Sequence, residues 1–196
     1  MKKGLIVLLV VAAVVLGIFF WFQGNYNSMV KMDEGVQAAW SQVENVYQRR
    51  ADLIPNLVAT VKGYAEHEQQ TLEGVVSARS KATQITVDPE NLTSEQLAKY
   101  QAAQGELGAA LGKLLAITEN YPNLKANENF LSLQSQLEGT ENRIAVERNK
   151  YNEAARNYNT TIRQFPKNIV AGMFGFEKKP YFEASEGAKE APKVEF

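Results

Sequence analysis

The chain has no cysteine and a single histidine, His67. Without thiols there is no disulfide, no thiolate nucleophile and no sulfur-ligated metal. With one imidazole, the zinc-protease pattern that His67 and Glu68 begin cannot be completed, because a second His must follow four residues on. Charge of one sign is lacking too: Lys and Arg total 21 against 22 Asp and Glu, a formal net charge of -1. Basic residues gather only in pairs such as Arg49 and Arg50, so no nucleic-acid partner is expected. There is no Gly-rich phosphate loop after a strand and no nucleophile elbow. Paired carboxylates for hydrolysis need a cleft that shifts their pKa values, whereas the many Glu residues here fit solvated helix faces. The reading is of a non-enzyme with no catalytic, metal or cofactor site.

Residues 4–22 contain no charged side chain and are dominated by Leu, Val, Ile, Ala and Phe. About nineteen apolar residues is the length of a bilayer-crossing helix. Trp21, Phe22 and Tyr26 stand where an interfacial aromatic belt would be. A cleaved signal peptide would have a shorter core and a small-residue exit. The Phe-Phe-Trp-Phe end is a poor cleavage site, so a retained anchor is preferred. Lys2 and Lys3 precede the span, and the positive-inside rule then puts that end in the cytoplasm. The remaining domain is expected on the other, periplasmic or extracytoplasmic, side of the inner membrane.

Beyond the span the apolar pattern is helical throughout. Val36, Trp40, Val43, Tyr47 and Ile54 recur at steps of three, four or seven. Asp52 and Pro55 then predict a break with a tight reversal, Asp52 capping a new helix and Pro55 in its first turn, in preference to a kinked continuous helix, which the lack of a Gly-rich loop leaves as the alternative. That helix is expected to reach about Gln84, with Leu57, Val61, Tyr64, Leu72, Val75 and Arg79 on its stripe. Lys62 and Glu66 would form an i,i+4 pair on its wet face. Residues 87–92 read as loop. A third helix starts at Thr93 or Ser94 with Gln96 placed for a capping box. Its stripe is Leu97, Tyr100, Gln104, Leu107, Leu111, Leu114 and Thr118. Gly105, Gly108 and Gly112 weaken it, and close approach of a neighbouring helix is the expected compensation.

The longest periodic run is 127–165, with Phe130, Leu133, Leu137, Ile144, Tyr151, Tyr158, Ile162 and Phe165 on one face. An unbroken helix there would reach on the order of 58 Å. The fold class expected is all-α: a transmembrane helix, residues 1–24 including its flank, followed by an antiparallel up-down four-helix bundle over 25–176. Residues 177–196 are expected to form a flexible tail. The surplus length of the last helix should return residues 165–176 toward the bilayer, where they close the bundle base or rest among headgroups.

Several ordered blocks carry a family resemblance. Residues 47–58 (Tyr-Gln-Arg-Arg-Ala-Asp-Leu-Ile-Pro-Asn-Leu-Val) and 61–68 resemble the first signature of the LemA family. Residues 119–131 (Glu-Asn-Tyr-Pro-Asn-Leu-Lys-Ala-Asn-Glu-Asn-Phe-Leu) resemble the second. Residues 148–152, Tyr158 with Asn159, and Phe165-Pro166 through 174–176 resemble the third. Ala51 departs from the bulky residue common at its place. The resemblance implies a helical bundle on one membrane anchor in a bacterial envelope, with no established enzymatic activity. Some relatives are associated with building internal membranes and others sit beside membrane proteases.

The structural or interface candidates follow these blocks. The first supplies Arg49, Arg50, Asp52, Pro55, Asn56, Tyr64 and Glu68, with Arg79 beyond it. The second supplies Tyr121, Pro122, Asn123, Asn127, Asn129 and Phe130. The third supplies Arg148, Tyr151, Asn152, Tyr158, Phe165, Pro166, Phe174 and Phe176. Arg50, Glu68, Arg79 and Arg148 fall on or beside stripes. They either keep their heads wet or form a buried Glu–Arg layer that fixes register. The Tyr/Asn blocks near 51–56 and 121–127 are both expected at the membrane-distal end, as a partner surface. The expected partners are the bilayer through residues 4–22, further copies of the chain, and a membrane protease or other envelope protein. The role expected is an oligomeric scaffold that organises or shapes membrane; the alternatives are a protease adaptor and an enzyme with an unrecognised site.

Overall fold

The computed structural model describes residues 2–183, and every element among them is helical. They are α1 (Lys2–Lys62), a single 3-10 turn (Glu66–Glu68), α2 (Gln69–Gln84), α3 (Ser94–Thr118), α4 (Pro122–Lys125), α5 (Glu128–Arg163) and α6 (Lys167–Phe174). The chain divides into two compact units. Among the described residues, one comprises 2–38 with 153–179, the other 39–152 with 180–183.

The expected break at Asp52 and Pro55 is corrected: α1 runs through Pro55 and ends at Lys62. Proline has no N–H for the carbonyl four residues back, which is that of Ala51. That oxygen is satisfied from another helix, because Arg79 Nε donates to Ala51 O at 2.8 Å. The helix can continue because its missing bond is replaced. Asp52 is therefore no cap. It accepts from Gln48 Nε2 at 2.7 Å on the exposed face. The reversal falls at 63–65, and Lys62 and Glu66 do not share a helix.

One apolar cluster in the second unit is fed by every helix in it. Ile54, Leu57 and Val61 come from α1, Leu72 and Val75 from α2, Leu107 and Leu114 from α3, Leu124 from α4, and Phe130 and Leu137 from α5. Each such side chain contributes about 1.5–3 kcal/mol when fully buried. The start of α3 follows the sequence closely. Thr93 and Gln96 form a reciprocal capping box, and the whole predicted stripe is buried. Close approach does not account for its glycines, however. A Cβ at Gly105 or Gly112 would meet nothing within 4 Å, and one at Gly108 only Arg50 Nη1 at 3.9 Å. At the start of α5, Asn127 Oδ1 accepts from the Phe130 N–H at 3.0 Å.

In the first unit, Met29 and Val36 of α1, Tyr158 and Ile162 of α5, and Val170 and Ala171 of α6 are buried. The stripe of α5 stops short of its expected end, since Phe165 is 82% exposed. The helix ends at Arg163, so Phe165 leaves its periodic face. α6 terminates at Gly175, whose φ of 74° lies in the left-handed region. There the Phe176 N–H bonds Ala171 O at 3.0 Å. This is a helix stop that glycine makes without steric cost.

Candidate interaction site

Within the second unit, Trp40 is fully buried, and three rings surround it. Tyr100 and Tyr151 lie at 5.3 and 5.6 Å, and Phe182 stacks on it at 5.7 Å with the planes 10° apart. Phe182 belongs to an extended strap that no periodicity announced. Asn152 holds its backbone by both groups: Nδ2 donates to Phe182 O at 2.9 Å and Oδ1 accepts the Phe182 N–H at 2.8 Å. Tyr151 donates its hydroxyl to Pro180 O at 3.1 Å. Arg148 covers the Phe182 ring at 4.9 Å and donates to Glu183 O at 2.8 Å. Three candidates of the third block thus converge on one short segment. Burial pushes the hydroxyl pKa of both Tyr100 and Tyr151 up.

The same device recurs within the first unit. Asn159 Nδ2 donates to Lys179 O at 2.8 Å, and its Oδ1 accepts the Lys179 N–H at 2.9 Å. The Lys179 ammonium, itself buried, pairs with Asp33 of α1 at 2.9 Å. Tyr158, beside Asn159, is pushed up to about 12 by burial and then by the Asp33 and Glu177 charges. Residues 177–183 of the expected flexible tail are therefore pinned at two points. The rest of that tail, 184–196, lies outside the described residues.

Arg50 is 3% exposed, and its guanidinium forks between two helices. Nη2 donates to Gln104 Oε1 at 2.7 Å and to Gln104 O at 3.0 Å, while Nη1 meets Glu141 Oε2 at 2.9 Å. The Glu–Arg layer left open beside the wet-head reading does not form among Arg50, Glu68, Arg79 and Arg148. Glu68 meets no arginine but accepts from the Tyr121 hydroxyl at 3.0 Å, Arg79 serves the Ala51 carbonyl, and Arg148 serves the strap. The Glu68 hydrogen bond raises the Tyr121 hydroxyl pKa.

The first and second blocks do meet, through Tyr121 with Glu68 and Asn127 Nδ2 with the Tyr64 hydroxyl at 3.0 Å. Pro122 opens α4, while Asn123 and Asn129 are exposed and Phe130 is buried. Arg49 reaches Gln136 at 3.1 Å. Asn56 and Pro55 are exposed inside α1 and form no turn with this cluster. In the first unit, Phe174 and Phe176 meet Tyr26 at 4.7 and 5.7 Å. Pro166 precedes α6, joined to Phe165 by a cis bond.

Sequence reasoning did not single out Asp33, Glu141, Lys179 or Phe182 as site residues, and it placed Trp40 and Gln104 only on stripes. The seven-residue spacing of Asn152 and Asn159 on a helix is the one signal that could have flagged the strap. Chemically, the arrangement binds and positions backbone. An open groove of about 580 Å³ is lined by Val58, Leu72 and Val76 together with Lys62, Glu66 and Glu73. Among the described residues no three His, Asp or Glu side chains gather where a metal ion could sit.

The model of the LemA family matches residues 39–196. The magnetosome protein MamQ 2 of Paramagnetospirillum magneticum is 31% identical over 176 residues, covering 81% of this chain and 65% of that protein. The magnetosome protein MamQ of Magnetospirillum gryphiswaldense is 30% identical over 175 residues, covering 81% and 64%. Protein LemA of Metamycoplasma hominis is 28% identical over 172 residues, covering 87% and 75%. The chain thus spans slightly under two thirds of the length of the magnetosome relatives.

Proposed function

Because the chain belongs to the LemA family, we propose that it is a non-enzymatic, single-pass protein of the bacterial cytoplasmic membrane that works as an oligomeric scaffold. In this reading residues 4–22 cross the bilayer, and an antiparallel up-down four-helix bundle within residues 25–176 stands on the extracytoplasmic side. Contact surfaces, not a reactive pocket, are its working part. The observation that carries the reading is the state of α1. It includes a window of mean hydropathy 3.1, long and apolar enough to span a membrane, none of which is buried by the rest of the protein. The family match supports a membrane-associated, non-enzymatic role, and none of the named relatives is named for a catalytic activity. Lys2 and Lys3 before the span support the orientation.

The test is particle imaging and native mass measurement of the full-length protein in lipid. A closed ring or an extended array of copies is the expected result. A monomer that co-purifies with a membrane protease would replace the scaffold by an adaptor. Turnover that vanishes on substituting a Glu cluster would replace both by an enzyme.

A further inference from the structure

The first unit leaves one apolar set uncovered beside the membrane-length stretch. α6 buries Val170 and Ala171 but turns Ile169 and Met173 outward, at 48% and 66% exposure. Phe174 is 55% exposed, and Phe165 just before the helix 82%. Single exposed apolar residues are ordinary, but four within ten positions of sequence form a set that needs a partner.

The position of α6 says what that partner is. The Phe174 ring lies 4.7 Å from that of Tyr26. Tyr26 follows Phe22, the end of the apolar run, by four positions, or about 6 Å of helix. The headgroup zone flanking the hydrocarbon core is roughly 5–8 Å deep on each side. A helix held against Tyr26 is therefore held at headgroup height. Arg163, Lys167 and Lys178 flank the apolar set, with Glu177 the one acidic residue between 163 and 179. Apolar side chains edged by cations are the composition of a segment that lies in an anionic lipid surface.

We propose that α6 and Phe165 form a second membrane contact, resting in the interface of the leaflet from which α1 emerges. Phe165, Ile169, Met173 and Phe174 enter the acyl boundary, and Arg163, Lys167 and Lys178 lie at phosphate level. A lone spanning helix is free to rotate about its axis; a second contact fixes its rotation and tilt. The proposal rests on the reading that residues 4–22 span the bilayer.

The absence of native cysteine makes the test direct. Single-cysteine variants Met173→Cys and Leu9→Cys of the full-length protein are spin-labelled and placed in vesicles of phosphatidylethanolamine and phosphatidylglycerol. Collisions with oxygen and with a water-soluble nickel chelate are then compared. At both positions oxygen collisions should exceed nickel collisions several-fold, more so at Leu9. Nickel-dominated collisions at Met173 with a lipid-like Leu9 overturn the α6 contact alone. Scarce collisions with both probes at Met173 mean that a protein surface, such as a second copy, covers it, and also overturn the proposal. Nickel-dominated collisions at Leu9 overturn the anchor and the α6 contact together.

Discussion

Two stretches of α1 hold the same kinds of residue in opposite circumstances. From Leu5 to Phe20 the large apolar side chains are between 53% and 64% exposed. Farther along the same helix, Trp40, Val43, Ile54, Leu57 and Val61 are at 0%. The first stretch is apolar on every face, the second on one stripe with Glu, Gln and Arg between. A stripe is satisfied by neighbouring helices, whereas an all-round apolar surface is satisfied only by a different solvent. An apolar surface on every face marks the part suited to lipid, and a single apolar stripe the part that folds against protein.

Truncation of side chains separates the two stretches most visibly. Trp40→Ala should lower stability by about 3–5 kcal/mol, through lost area and the cavity left among three rings. Leu9→Ala should change it by less than about 0.5 kcal/mol. Urea unfolding of the full-length protein in detergent checks both, and similar costs at the two sites would erase the distinction. Arg50→Ala should cost about 2–3 kcal/mol, because the buried Gln104 amide loses its donor. Arg50→Lys should recover less than half of that, since one ammonium lacks the fork that reaches both Gln104 and Glu141.

Alkali sharpens the contrast, because the all-apolar stretch carries no ionisable group while the helix-packed parts bury several. Tyr158 titrates near 10 when unfolded and near 12 when folded. Between those values the native state holds the proton more often, so stability falls as pH rises and levels off above about 12. The loss from this group is on the order of 2 kcal/mol. Asp33→Asn should move the folded titration down by removing a raising charge. Absorbance of tyrosinate against pH measures both.

Smaller effects probe how the second stretch survives Pro55. Arg79→Ala should cost about 1–2 kcal/mol by orphaning the Ala51 carbonyl. In a Pro55→Ala background the cost should shrink, because residue 55 then offers the missing N–H. A double-mutant cycle with no coupling would refute the replacement. Glu68→Ala should cost under about 1 kcal/mol, since it removes one hydrogen bond from a half-buried tyrosine and strands no cation.

The sequence showed whatever local chemistry decides. The Thr93 and Gln96 box, the stripe of α3 and most of the α5 face are written within a few residues of where they act. The course of α1 past Pro55 was hidden because Arg79, which supplies the replacement bond, stands 28 residues away. The partners of Arg50 lie 54 and 91 residues away, so stripe position foretold its burial but not its company. Residues 177–183 were misjudged for a related reason: a strap held by another helix's amides has no period of its own.

Asn152 and Asn159 grip peptide groups, which nearly every residue type carries. The route of the strap is thus encoded in large part in α5, and between the two grips the strap's own residues matter less than at 179 and 182. Proline is barred at 179 and 182, where an N–H is required. The native Pro180 falls between those two positions and offers only its carbonyl. Foreign residues grafted onto this segment would follow the same path only if they kept proline off both grips, a ring at 182 for the Trp40 cage and a cation at 179 for Asp33.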